Sequence, residues 1–195
     1  MSPAAYIGFG SNLGNRELQF KEAVRALGRI PGTVVTAHSR LFETEPVDLS
    51  DAGPMFLNAA IAVETELSAV DLLARMRRIE LALGKSPRHR SDMSRTIDLD
   101  LLLYDSEIIR DGEMEIPHPR MRFRAFVLAP LADIAASVTH PALNRTIEDL
   151  LRELPCEDLG KVRPAQDPVE FGARQEADSD LGSGKMAPQQ ASWND

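Results

Sequence analysis

The chain has 195 residues, 43% of them hydrophobic, with 22 Lys and Arg against 30 Asp and Glu, which is the length of one domain and the composition of an ordinary globular protein. Its formal charge of −8 argues against a general nucleic-acid binder, and a single Cys, Cys156, excludes an internal disulfide or a cysteine-based zinc cluster and points to a reducing cytoplasm. No run of 18 apolar residues occurs and Met1–Tyr6 carries no basic and apolar leader, so neither a membrane span nor a secretion signal is expected.

Tyr6 to Phe9 reads as a short strand. Asn15 is a plausible N-cap for a helix with Phe20, Ala23, Val24 and Leu27 on one face, ended by Gly28 and Pro31-Gly32. Val34–Phe42 and Phe56–Leu67 are β-branched or alternating runs, joined by a long loop containing Pro46 and Gly53-Pro54. Ser68 with Asp71 opens a second helix through a capping box, its stripe is Leu72, Met76, Ile79 and Leu83, and Gly84 stops it. Thr96–Tyr104 is the next strand. After a turn-rich stretch, Asn144 is expected to cap a last helix with Ile147, Leu150, Leu151 and Leu154 facing inward. The order predicts an α+β protein with a ferredoxin-like βαββαβ core and C-terminal helical additions.

Composition changes at Pro155. The 41 residues from there to Asp195 hold five Leu, Ile, Val or Phe beside eight acids, four Pro and four Gly, which predicts a disordered or loosely docked acidic tail over 155–195. Docking through Phe171 or Trp193 is the alternative.

Alternation in Thr96–Tyr104 sends Ile97, Leu99, Leu101 and Leu103 to the core and Asp98 and Asp100 together to the other face, about 7 Å apart along the strand. Two carboxylates so placed suit hard cations bridging a phosphate; pairing with Arg or Lys is the alternative. Between Arg75 and Arg95 seven basic residues stand against two acids, and the part from Lys85 to Arg95 has no apolar period. A basic loop beside carboxylates is the equipment for handling a nucleoside triphosphate. Gly8-Phe9-Gly10-Ser11-Asn12-Leu13-Gly14 has the spacing of neither dinucleotide fingerprint nor P-loop and reads as a strand-to-helix turn. Phe56 and Asn58 share a strand face that suits a flat heterocycle, and Phe126 is a candidate second ring. His118 lies in an extended segment between two prolines, as a donor rather than a proton carrier.

Taken in order, Tyr6–Gly14, Phe56–Ala60, Arg78-Ile79-Glu80, Arg95–Asp100, Ile116–Met121 and Phe126–Leu131 resemble the hydroxymethyl-dihydropterin pyrophosphokinases of folate biosynthesis, a likeness extending over Ala5–Leu154. The resemblance implies a catalytic domain over 1–154 that transfers diphosphate from ATP to 6-hydroxymethyl-7,8-dihydropterin, with two magnesium ions and AMP as the other product. It implies that Asp98 and Asp100 ligate the metal, that Lys85, Arg88, Arg90, Arg95, His118 and Arg124 bind ATP, and that Lys85, Arg95, Asp98 and Asp100 carry the catalysis. Phe56 and Phe126 would sandwich the pterin, with Asn58, Thr44 and Val47 reading its edge. Small-molecule substrates, a cytoplasmic location and a monomer are expected; a downstream folate-pathway enzyme is left open as a partner. The family's Arg-Trp-Gly-Pro-Arg run is Ser91-Asp92-Met93-Ser94-Arg95 here, Pro87 stands where a second Arg is usual, and Pro119 replaces a common Tyr. Those departures motivate the competing reading, a catalytically degenerate pterin- and nucleotide-binding module.

Overall fold

The computed structural model describes residues 2–45, 53–85, 94–112 and 114–165. In chain order it contains β1 (Ala4–Ser11), α1 (Arg16–Gly28), β2 (Thr33–His38), β3 (Phe42–Thr44), β4 (Phe56–Thr65), α2 (Ala69–Ala82) and β5 (Asp98–Tyr104). There follow β6 (Ile109–Arg110), β7 (Glu115–Ile116), a 3₁₀ turn at Met121–Phe123, α3 (Ala125–Ala135), β8 (Thr139–His140), β9 (Arg145–Thr146), α4 (Ile147–Arg152), α5 (Cys156–Leu159) and β10 (Val162–Pro164).

The main sheet is antiparallel, in the order β10-β3-β4-β1-β5, with β2 on the same side of β4 as β3. On one face Ala5, Ile7 and Phe9 of β1, Leu57, Ala59, Ile61 and Val63 of β4, and Leu99 and Leu101 of β5 pack against Phe20, Ala23 and Leu27 of α1 and Leu72 and Met76 of α2. On the other, Ala60, Leu102 and Leu103 meet Val127, Leu128 and Leu131 of α3 and Ile147 and Leu150 of α4. Because both faces are covered, β4 is a nearly continuous buried run, as its composition required.

Local signals account for the starts of α1, α2 and α4 and the end of α2. The Asn15 side chain accepts the Leu18 N–H at 3.0 Å, and Ser68 Oγ accepts the Asp71 N–H at 3.2 Å while donating to its carboxylate at 2.7 Å. Gly84, at φ +93°, takes the left-handed conformation past α2, and Lys85 N–H folds back onto the Glu80 carbonyl at 2.9 Å. The cap of α4 is Thr146, which accepts the Asp149 N–H at 3.1 Å; Asn144, expected in that role, sits instead at φ +51° in the β8–β9 turn. Asn does both jobs well, so residue type alone did not separate them.

Four further features differ from the expectation. The run 34–42 is not one strand: Ser39 interrupts it, donating N–H to the Ala60 carbonyl at 2.9 Å and accepting the Ala60 N–H on its hydroxyl at 2.9 Å, so the side chain substitutes for a ladder acceptor. In β5, Tyr6 opposes Leu103 but Ile7 opposes Leu101, leaving Leu102 as the extra residue of a bulge. Leu103 is thereby turned to the second face and Tyr104 takes its place on the first, against the simple alternation. Helix α3 was not expected, since it is apolar on nearly all sides and so shows no stripe to betray it. Finally, the sheet runs past Pro155: Val162, Arg163 and Pro164 pair with Thr44, Glu43 and Phe42, and Ala165 N–H donates to the Leu41 carbonyl at 2.8 Å. Residues 156–165 thus form a short helix and an edge strand where a tail was expected; 166–195, with Phe171 and Trp193, lie outside the described residues.

Candidate functional site

Across β4, β1 and β5 the register aligns Asn58 with Gly10 and Gly10 with Asp98, then Ala60 with Gly8 and Gly8 with Asp100. All point to the face that α3 and α4 cover only in part. A Cβ at Gly10 would stand 3.5 Å from Asn58 Oδ1 and 4.0 Å from Asp98 Cβ, so the glycine keeps an open trough between an amide and a carboxylate. Gly8 and Gly10 therefore belong to the strand, Gly10 flooring the site and Gly8 lying under the Leu102 side chain, 3.4 Å from where its Cβ would be. Only Gly14, at φ +69°, serves the turn that the motif was expected to form. The period-two spacing of Gly8 and Gly10 could have placed both on one strand face, while the residues they oppose are set by sheet register.

The aspartate side of the trough is ionic. Asp98 accepts Lys85 Nζ at 2.6 Å on one oxygen and the Arg95 guanidinium on the other. Lys85 also donates to Glu80 at 2.6 Å, and Glu80, only 5% exposed, accepts the Leu99 N–H at 2.7 Å with the same oxygen. Glu80 thus anchors Lys85 and the start of β5, a part the sequence left unassigned. Burial pushes the Glu80 carboxyl up, partly opposed by Lys85 and the Leu99 N–H. Burial works to lower Lys85, but its bonds to Asp98 and Glu80 outweigh it and hold the ammonium above its usual range.

Asp100 is raised first by burial and next by the Asp98 charge, against the pull of His118, Arg124 and Arg95. A carboxyl destabilised in this way gains from an added cation, and a pair of carboxylates facing a phosphate site is what magnesium ordinarily uses, its remaining ligands being water and phosphate. The donor set fits that ion. Among the described residues no group of three or more His, Cys, Asp or Glu is assembled for a metal, so the two aspartates would depend on the substrate to complete the shell.

His118 is fixed by its N–H to the Leu102 carbonyl at 2.9 Å, and its Nδ1 accepts the Arg120 N–H at 3.2 Å. The neutral ring accordingly carries its proton on Nε2. Burial is the largest influence lowering its pKa, opposed by Asp100. Beside it lies a cavity of about 610 Å³ lined by Leu73, Arg77, Asp100, Arg110, Met114 and His118. Arg77, on α2, belongs to the basic cluster between Arg75 and Arg95 read from the sequence, whereas Arg110, on β6, was not singled out.

The opposite side of the trough pairs a neutral amide with two aromatic rings, each with a guanidinium beside it. Asn58 Nδ2 donates to Thr44 Oγ at 2.8 Å, both residues being buried at the β3–β4 end. The Arg95 guanidinium stands 5.6 Å from the Phe56 ring centre, and that of Arg124 5.3 Å from the ring of Phe126, the second residue of α3. Asn12, 3% exposed, links the two sides: its Oδ1 accepts the Arg95 N–H at 2.6 Å and its Nδ2 donates to Ser94 Oγ at 3.1 Å and the Pro54 carbonyl at 3.4 Å. Of the expected residues, Asp98, Asp100, Thr44, Phe56, Asn58 and Phe126 have described positions on strands or α3, and Lys85, Arg95, His118 and Arg124 in the segments between elements. Val47, Arg88 and Arg90, and with them Pro87 and Asp92, lie outside the described residues.

Comparison with known proteins follows the same lines. The family model of 7,8-dihydro-6-hydroxymethylpterin-pyrophosphokinase (HPPK) matches residues 6–136. The 2-amino-4-hydroxy-6-hydroxymethyldihydropteridine pyrophosphokinase of Bacillus subtilis is 42% identical over 144 residues, 74% of this chain and 85% of that protein. Its counterpart in Haemophilus influenzae is 36% identical over 160 residues, 82% and 98% respectively. Among solved structures, a Plasmodium falciparum HPPK-DHPS triple mutant superposes with a TM-score of 0.63 at 15% identity over 78% of this chain, which spans 43% of that longer protein.

Proposed function

The chain belongs to the HPPK family, and from that premise we propose how its own residues divide the work. The reaction is transfer of diphosphate from ATP to the hydroxymethyl group of 6-hydroxymethyl-7,8-dihydropterin in folate synthesis, releasing AMP. The observation that carries the assignment of roles is the line Asn58–Gly10–Asp98, which sets a neutral amide slot and an ionic slot side by side on one sheet face.

In this reading the pterin lies over the neutral slot, its amide edge meeting Asn58 and Thr44 and its ring faces meeting Phe56 and Phe126. The triphosphate lies along the ionic side, where Lys85 and Arg95 exchange Asp98 for phosphate oxygens and His118 donates from Nε2, with Arg124 adding a further cationic donor. Arg88 and Arg90 are assigned to the same anion, and Val47 to the pterin, by motif alone. Asp98 and Asp100 would hold magnesium, two ions in our reading, whose contribution is to neutralise the phosphate charge and lower the pKa of the attacking hydroxyl. The hydroxyl oxygen attacks the β-phosphorus in line and gives up its proton to solvent, the bond from that phosphorus to the oxygen bridging the α-phosphorus breaks, and AMP leaves with that oxygen. This chain's task is positioning and charge neutralisation, which supply most of the rate in phosphoryl transfer.

The order β2/β3–β4–β1–β5 supports reading the first 104 residues as a ferredoxin-like core, with α3 and α4 as additions on its second face. The strand at 162–164 supports extending the catalytic unit from the expected end at Leu154 to Ala165. We further assign the protein to the cytosol and to a monomeric state; none of the described helices is long and apolar enough to cross a membrane.

Purified protein given ATP, magnesium and the hydroxymethyl-dihydropterin should release AMP, and Asp98→Ala or Asp100→Ala should cut that rate by roughly 10³-fold or more, since each removes a group that holds the charge-neutralising ion. Wild-type turnover in either variant rules out the metal assignment, and no AMP release by the unaltered chain would favour the degenerate binding module.

A further inference from the structure

The β3–β4 end carries a contact that the reaction itself does not use. Arg16, the first residue of α1, donates Nη1 to the Met55 carbonyl at 2.8 Å and Nη2 to Glu43 Oε1 at 2.7 Å. Glu43 is the residue before Thr44, and Met55 the residue before Phe56, while Thr44 and Phe56 oppose each other as the last pair of the β3–β4 ladder. One guanidinium thus ties the chain where it leaves the sheet to the chain where it returns.

The tie lies on the reverse of the site. Thr44 bonds Asn58 on the trough face; Glu43 opposes Leu57, whose side chain is packed in the core beneath α1. By the alternation of a strand, Glu43 and Arg16 therefore stand behind the sheet, where neither can touch a ring lying in the trough. Glu43 also has Arg163 of β10 as its cross-strand neighbour, a second cation on the same edge. A charge-assisted fork with planar geometry fixes position more closely than a single flexible contact.

We propose that Arg16 is a positioning residue for the pterin half of the reaction: by clamping Glu43 and the Met55 carbonyl from behind the sheet, it sets the separation and pitch of Thr44, Asn58 and Phe56 before the ring arrives. The proposal rests on the reading that those three residues bind pterin. It deepens that reading by making affinity for the neutral ring, and not for ATP, depend on a surface ion pair that contacts neither substrate. Preorganising a slot lowers the ordering cost at binding, and its loss appears in affinity for the occupant of that slot.

The test uses the full chain and equilibrium binding of two probes: 6-hydroxymethylpterin, followed by its own fluorescence with magnesium and α,β-methylene-ATP present, and the ATP analogue alone. Arg16→Ala should weaken the pterin by about 5- to 30-fold, the range expected for losing charge-assisted bonds that act at one remove, while the ATP analogue stays within about twofold. Arg16→Lys, able to keep one bond, should recover part of the loss. Glu43→Gln should weaken pterin less, and adding it to Arg16→Ala should cost little more, because both act through one contact. Asn58→Ala separates the two claims. If it loses pterin while Arg16→Ala binds as the wild type, or if Arg16→Ala weakens both probes alike, the positioning role is overturned and the pterin slot stands. If Asn58→Ala and Phe56→Ala also bind pterin as the wild type, the slot itself is wrong. Should Arg16→Ala fail to fold, the same binding split in Glu43→Gln decides the matter, pterin weakened alone supporting the clamp and no pterin effect overturning it.

Discussion

On the β3–β4 side of the site Asn58 and Thr44 satisfy each other through a buried neutral hydrogen bond of 2.8 Å; on the β5 side Lys85 is shared by two carboxylates and Asp98 by two cations. The first arrangement is held by its own hydrogen bond and by burial, so on the proposed roles a flat heterocycle would meet polar groups already in place. In the second the charges face one another, so a triphosphate bound there, as proposed, would take Lys85 and Arg95 away from Asp98, and a cation would replace them. On the proposed roles, a neutral substrate would be recognised by preorganisation and a highly charged one by exchange of ionic partners, with Gly10 between the two slots.

That contrast can be broken at several points. The largest effect short of the aspartates is expected at the ionic side: Arg95→Ala should lower turnover by about 10²-fold by removing a donor aimed at developing charge, while pterin affinity changes far less. Steady-state AMP release with each substrate varied in turn checks it, and a matching loss of pterin affinity would mean that the two slots are not separable. On the neutral side, Asn58→Ala should raise the pterin KM by about tenfold or more, because its Thr44 partner is left buried and half satisfied. An unchanged pterin KM would remove the amide from recognition.

Stability effects should be smaller and should spare the contrast. Ending the chain after Leu154 removes β10 from the open edge of β3; it should lower the thermal midpoint by about 3–6 °C, from a loss near 1–2 kcal/mol, whereas ending it after Ala165 should leave midpoint and activity unchanged. Equal midpoints for the two truncations would mean that the edge strand adds nothing. The smallest expected effect is electrostatic. Asp133 of α3 grips the N–H and guanidinium of Arg40 in the β2–β3 interruption, with distances of 2.6–3.2 Å, and this hydrogen bonding holds its carboxyl below the usual range. A depressed folded pKa means that the unfolded chain binds more protons just below pH 4, so this stability is present above that pH and is lost as the pH falls further. With Arg40 67% exposed, Asp133→Asn should cost only about 1 kcal/mol at pH 7, and the gap from the wild type should close as melts are taken from pH 5 toward pH 2.

Much of this was legible beforehand. The caps at Asn15 and Ser68, the stop at Gly84 and the shared face of Asp98 and Asp100 are local properties of single elements, and the chain determines them through spacing alone. The motif order was enough to reach the family and the reaction. Other features were decided only by what each segment meets. The bulge that turns Leu103 away from Leu101 exists because β5 must register with β1 on both sides of Tyr6 and Ile7; the use of Thr146 over Asn144 depends on a two-stranded turn closing first. Residues 162–164 have too little apolar surface to announce a strand and acquire one from the unpaired edge of β3. Gly8 and Gly10 look like turn glycines in the sequence; Gly10 becomes a trough floor only when Asn58 and Asp98 are laid beside it, and Gly8 makes room for Leu102. Periodicity tells a residue which way it faces within its own element; the neighbour it faces is supplied by sheet register, which follows from burying both faces of the sheet at once.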